Sequence, residues 1–145
     1  MPLIGLFLVL IIVVGAVSSN TNIDSLQVFS AAETSAQADN LLIYRNHVSK
    51  FADNNPGFVG QVPDATLVLP MWYNEGPGMG NYLSFGMQYV YVTSPSSGLA
   101  AKLASESEAI TVGINRGGVF YSPRQGNTGI NLPSQIPLDA VVIIQ

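Results

Sequence analysis

Residues 3–17 read LIGLFLVLIIVVGAV, apolar throughout, and no ionised side chain precedes Asp24. Such a run cannot be left in water, so it either stays in a bilayer or is removed on the way across one. A hydrocarbon core of about 30 Å asks for roughly 20 helical residues at about 1.5 Å each. Counting the ends, residues 1–19 just suffice, with Leu3, Leu6, Phe7, Leu8, Leu10, Ile11, Ile12, Val13 and Val14 as the anchoring side chains. Ala16-Val17-Ser18 keeps a cleaved secretory signal open as an alternative. The absence of Lys or Arg ahead of the run favours a retained anchor. A short N-terminal tail with a translocated C-terminal part follows as the default orientation.

Working outward, residues 18–22 (SSNTN) form a polar break of poor helix formers. Over residues 23–53 the period becomes helical, with Ser25 as a candidate cap and Leu41, Tyr44, Val48 and Phe51 at steps of three and four. Arg45, Lys50, Asp39 and Asn46 take the other side. Residues 54–57 (NNPG) end this amphipathic helix, because Pro cannot continue it and Gly or Asn accepts the left-handed cap.

Beyond Pro56 the chain is punctuated by Pro63, Pro70, Pro77, Pro95, Pro123, Pro133 and Pro137. Residues 58–71 read as a loop with a short turn near Pro63-Asp64 and a brief extended run at 66–69. Residues 81–93 give the plainest strand signal, with Leu83, Phe85, Met87, Tyr89 and Tyr91 on one face and Gly86 marking a bulge or hairpin bend. Residues 96–108 suggest a short helix. Residues 109–114 and 119–121 are strands joined by Asn115-Arg116-Gly117-Gly118 as a hairpin, and residues 138–144 close the sheet. The expected class is α+β: an N-terminal transmembrane helix, a long amphipathic helix, then a small, mostly antiparallel sheet with one short helix, which is a pilin-like layout. The expected divisions are an anchor at 1–19, a juxtamembrane and amphipathic helix at 20–55, and a β-rich part at 56–145.

Composition excludes several functions. Five cations (Arg45, Lys50, Lys102, Arg116, Arg124) against nine acids give a net charge of -4, with no clustered basic patch for nucleic acid. Charged residues are 10% of the chain against a usual figure of about 25%, which suits a protein packed among others. With no cysteine, thiolate chemistry and disulfides are ruled out. His47 is the sole histidine and has no His or Cys partner for a metal. Glu106 and Glu108 stand two apart on a short helix and so diverge. Gly76-Pro77-Gly78-Met79-Gly80 lacks phosphate-loop spacing and puts Pro where a donor is needed. The reading is a non-enzyme with no catalytic residue, no cofactor, no metal and no small-molecule substrate. Met71, Trp72 and Tyr73, beside a Gly-Pro segment, are the candidate contact surface.

Three stretches carry a family likeness: LLIYRNHVSKFADNNPGFVG at 41–60, QVPDATLVLPMW at 61–72 and SPRQGNTGINLPSQIPLDAVVIIQ at 122–145. With the apolar N-terminus they make the chain resemble the small PilM proteins of plasmid and type IVb pilus operons, as distinct from the larger actin-like proteins sharing that name. The resemblance implies a bacterial inner-membrane protein, single-pass with a periplasmic domain. It also implies a part in conjugative thin-pilus or type IV pilus biogenesis as an assembly or basal-complex factor, with other pilus or secretion-machine proteins and the lipid bilayer as partners. Two other roles stay open: a minor pilin-like subunit of the fibre, and a secreted or periplasmic small binding protein or enzyme. Against prepilin processing, Gly5 follows Ile4 instead of a basic residue, and Leu10 stands where a glutamate is needed.

Overall fold

A computed structural model describes residues 26–106 and 111–145 in full and, for residues 2–25, the helical backbone alone. Helix α1 spans Pro2–Asn54, so the polar break at 18–22 and Ser25 lie inside the helix and do not start it. The chain divides into two compact units, Met1–Glu33 and Thr34–Gln145. Among the described residues no helix is long and apolar enough to cross a membrane. The expected anchor at residues 1–19 lies outside the residues described in full.

In the second unit, the helical stripe is realised as its spacing predicts. Ala38, Leu41, Tyr44 and Val48 are buried and Phe51 packs at their edge. Asp39, Asn46 and Lys50 face solvent, whereas Arg45 is half-buried, and burial pulls its guanidinium below its ordinary pKa. Asn54 and Asn55 cap the last turn by donating side-chain amides to the carbonyls of Lys50 and Phe51, each over 2.8 Å.

Six strands follow: β1 (Met79–Ser84), β2 (Met87–Val92), β3 (Thr111–Arg116), β4 (Val119–Ser122), β5 (Gly126–Asn131) and β6 (Val141–Ile144), with helix α2 (Leu99–Glu106) between β2 and β3. They form one antiparallel sheet in the order β1-β2-β6-β3-β4-β5. The last strand is thus slotted into the centre, and all four of its residues are buried, as a central strand covered on both faces requires. Val141 and Ile143 join the core under α1 and α2, while Val142 and Ile144 pack with Tyr89, Phe120, Leu132, Ile136 and Ala140 on the opposite side.

The structure corrects four expectations. Residues 81–93 are a hairpin and not one strand: Phe85 (φ 49°) and Gly86 (φ 82°) make a two-residue turn with positive φ at both positions, the pattern of a type I′ turn. Two loop residues reverse the odd–even rule, so Leu83 lies opposite Gln88 and joins Val90 and Val92 beneath the helices, whereas Tyr89 and Tyr91 share the other face with Tyr82. The short turn expected near Pro63-Asp64 is a 3-10 turn at Asp64–Thr66, where the Thr66 hydroxyl donates to the Pro63 carbonyl over 2.7 Å, but the run expected at 66–69 forms no strand. The short helix is α2 alone, since residues 96–98 precede it. Strand β5 was not expected, because Gly, Asn and Thr at 126–131 carry no apolar alternation.

The remainder of the short helix expected to 108, and the start of the strand expected from 109, fall at residues 107–110, outside the described residues. Of the four-residue hairpin connection expected at 115–118, Gly117 (φ 62°) and Gly118 (φ 85°) alone make the turn, and Asn115 and Arg116 belong to β3.

Both sheet edges are guarded against stray pairing. On β1, Gly60 and Leu83 exchange backbone hydrogen bonds over 2.9 and 2.8 Å. On β5, the Asn127 side chain accepts from the Gly129 amide over 2.9 Å, and the Thr128 hydroxyl from the Ile130 amide over 3.3 Å.

Candidate contact surface

Two buried asparagines lock the loops of the domain in place. Asn81, on β1, accepts from the Val62 amide over 2.7 Å and donates to the Val62 carbonyl over 2.9 Å and to the Tyr44 hydroxyl over 2.8 Å. Asn115, on β3, donates to the Ile136 and Pro137 carbonyls over 2.9 and 3.1 Å and accepts from the Gly118 amide over 2.9 Å. A buried amide with its hydrogen bonds made specifies position as well as stability. Asn81 ties the segment after α1 to the sheet edge, and Asn115 ties residues 132–140 over the far face.

The Tyr44 hydroxyl passes the first network on to Asp64 Oδ1 over 2.6 Å. Burial, then the Asp64 carboxylate, pushes the Tyr44 hydroxyl above its ordinary pKa, so it stays a donor. Tyr73 stacks on the Tyr44 ring at 6.5 Å between centroids and 18° between planes, its hydroxyl donating to the Asn40 carbonyl over 3.4 Å. Burial and the charges of Glu75 and Asp64 push that hydroxyl up to about 12. Asn40 Nδ2 donates to the Asn74 carbonyl over 2.9 Å. The loop from 64 to 75 is therefore held to α1 at both ends.

Between those ties the loop projects apolar side chains. Val68 is 87% exposed, Met71 fully so and Trp72 72%. The trio expected from the sequence thus divides: Met71 and Trp72 point into solvent and Tyr73 turns inward as the loop's peg. These large apolar groups left in water make the loop the candidate contact surface.

A second apolar exposure, not singled out by the sequence pattern, lies where α1 ends. Phe85, at the tip of the β1–β2 hairpin, is 92% exposed, and Val59 and Met87 are 51% and 42% exposed. Beside the tip runs an open groove of about 290 Å³ in which Phe58, Leu83 and Met87 stand among the polar Asp53, Asn55 and Gln88. The one usable signal is Gly86, which marks a bulge or hairpin bend within the alternation.

Little in the described residues assembles chemistry. His47 sits half-buried on a shallow depression of about 170 Å³ with Lys50, Phe51 and Thr66. Among the described residues no three His, Cys, Asp or Glu side chains are grouped to hold a metal ion, and the one salt bridge is Lys102–Glu106 at 2.8 Å. Arg116 lies 4.3 Å over the Tyr121 ring, a cation–π contact at the rim of a mostly apolar hollow of about 330 Å³. The anchor residues Leu3, Leu6, Phe7, Leu8, Leu10, Ile11, Ile12, Val13 and Val14 lie where the helical backbone alone is described.

Comparison with known proteins bears on this geometry. The family model described as PilM matches residues 8–144. The crystal structure of a protein assigned as PilM in Pseudomonas aeruginosa 2192 is similar at 38% identity, over 77% of this chain and 92% of that one, with a TM-score of 0.51. A second crystal structure, of a protein assigned as PilM in Escherichia coli B7A, aligns at 21% identity over 79% of this chain and 93% of that one, with a TM-score of 0.62, and so shares the fold. No curated protein matches the chain.

Proposed function

This chain belongs to the PilM family, and on that premise we propose that it is a membrane-tethered, non-catalytic component of type IVb or thin (conjugative) pilus biogenesis. In this reading residues 1–19 cross the bacterial inner membrane once. The α+β domain stands in the periplasm and contacts other pilus proteins. The observation that carries it is the outward pair Met71 and Trp72 on a loop whose polar groups are spent on holding it to α1. A tether confines the domain near its partners, so the effective concentration is high and modest contacts suffice.

A second reading, a minor subunit built into the fibre, is favoured by the 53-residue α1 running into an antiparallel sheet. Fractionation separates the two: the assembly factor stays with the inner membrane when fibres are sheared off, and the subunit leaves with them. Leu10→Arg places a cation in the apolar run at roughly 2.5 to 3.5 kcal/mol on insertion scales. We expect it to abolish membrane retention and pilus formation together. Normal retention and normal pili in that variant would refute the tether.

A further inference from the structure

The mostly apolar hollow beside the start of α2 has a volume of about 330 Å³, at the lower end of the roughly 300–1,000 Å³ usual for ligand pockets. Ile114 of β3, Val141 of β6 and Pro123 supply its apolar wall.

The unpartnered polar groups around it are all able to donate. Arg116, at the rim, holds its guanidinium over the Tyr121 ring and forms no ion pair among the described residues. Ser96 is fixed through its backbone, its amide donating to Gln37 Oε1 of α1 over 2.7 Å, yet its side-chain hydroxyl is buried with no hydrogen-bond partner among the described residues. The turn before α2 takes up the Leu99 amide at the Ser96 carbonyl over 3.2 Å and the Lys102 amide at the Gly98 carbonyl over 2.9 Å. Between them the amides of Ala100 and Ala101, two residues of the hollow's wall, make no such bond, as the first turn of a helix leaves them.

No carboxylate lines the hollow, although the chain carries nine acids against five cations. A ligand that fits brings acceptors, a negative charge above all, together with an apolar group. A cavity of roughly 150 Å³ admits a benzene ring, so this one takes a single apolar side chain and the charged group beside it. Along an extended chain successive side chains point to opposite faces, so an acidic residue next to an apolar one does not place both in the same hollow. An apolar C-terminal residue does, because its side chain and its carboxylate leave the same Cα.

We propose that this hollow captures the free C-terminus of a partner chain that ends in an apolar residue. The side chain lies among Ile114, Val141 and Pro123, and the carboxylate is held by the Arg116 guanidinium, the Ser96 hydroxyl and the first amides of α2. The proposal does not rest on the pilus reading and uses residues other than Met71 and Trp72.

Fluorescence anisotropy of the full chain in detergent, titrated against a dye-labelled Gly-Ser-Gly-Leu peptide with a free C-terminal carboxylate, tests it. Saturable binding is expected, and the same peptide with an amidated C-terminus should bind at least about tenfold more weakly. Arg116→Gln should weaken binding similarly at an unchanged unfolding temperature. Ala101→Trp, at an exposed position on the wall, should block the hollow and do the same. Isocaproate, which has the same side chain and carboxylate without the peptide, should compete only weakly. Absence of saturable binding overturns the proposal, as do equal binding of the amidated peptide and unchanged binding by both variants. Displacement of the peptide at comparable concentration by isocaproate, or by phosphatidylglycerol in the micelle, would contradict a chain terminus as the occupant.

Discussion

The Tyr44 hydroxyl donates to Asp64 Oδ1 over 2.6 Å and accepts from Asn81 Nδ2 over 2.8 Å, so one phenol joins the long helix, the sheet edge and the exposed loop. Tyr44→Phe keeps the ring in the core and removes only those two bonds. It should cost about 1–2 kcal/mol, read as a lower midpoint of urea unfolding, with faster amide exchange over residues 64–75. Asn81→Ala should cost more, because the Val62 amide and carbonyl then lose their partner as well. A Tyr44→Phe chain as stable and as protected as the parent would mean that the loop is held by packing alone.

Gly113 sits in β3 opposite Val142 of the central strand. A Cβ there would lie 2.6 Å from the Phe120 ring and 2.6 Å from the Tyr121 carbonyl oxygen. The backbone oxygen cannot step aside as a flexible side chain could. Gly113→Ala should therefore destabilise by about 1–3 kcal/mol, measurable as a fall in the unfolding midpoint. An unchanged midpoint would contradict this packing of Phe120 across β3.

The Glu75 carboxyl is raised above its ordinary pKa of 4.5, first by partial burial and then by the charge and hydrogen bond of Asp64. A carboxyl raised on folding holds its proton more tightly in the native state than in the unfolded one. Its favourable contribution is present below the ordinary value and is lost as pH climbs through the raised one. Glu75→Gln should remove that loss, so that the variant is more stable than the parent near pH 7 and equal to it near pH 4. Urea titrations at the two pH values decide it; a variant less stable near pH 7 would show that the charge of Glu75 helps hold the loop.

Met71 and Trp72 contribute almost nothing to the core, being fully and 72% exposed. Met71→Ser with Trp72→Ser should leave the unfolding midpoint within about 0.5 kcal/mol of the parent, as surface changes do, yet reduce pilus assembly in a complemented deletion strain. Full assembly by this variant would move the contact surface elsewhere.

How far the residues disclose this architecture depends on how local each signal is. Leu41, Tyr44 and Val48 recur at helical spacing, so their stripe is legible from the residues alone, as is the Gly117-Gly118 turn from its glycines. Leu83 and Tyr89 look like neighbours on one face because a two-residue turn with Phe in it mimics continued alternation; Gly86 alone hints at the break. Strand β5 is invisible because Gly126, Asn127, Thr128 and Gly129 form it by backbone pairing with β4, not by burying side chains. Nothing in the order of residues announces that 141–144 slot between β2 and β3, a choice made by long-range packing on both faces.

The contact surface is legible in part. Met71 and Trp72 stand out as large apolar groups near Gly and Pro, but the inward turn of Tyr73 depends on Tyr44, 29 positions earlier. Phe85 is recognisable as strained only once its turn is known. Asn81 and Asn115, which hold the loops, are indistinguishable by sequence from the surface asparagines around them.

The central claim is that an apolar tether is kept and holds an inert contact module at the membrane. The intact mass of the mature protein from a membrane fraction tests it most directly. The account predicts the mass of a chain that retains residues 3–17, found in the inner-membrane fraction. A mass matching loss of the segment after Ser18, with the remainder freely soluble, would contradict it.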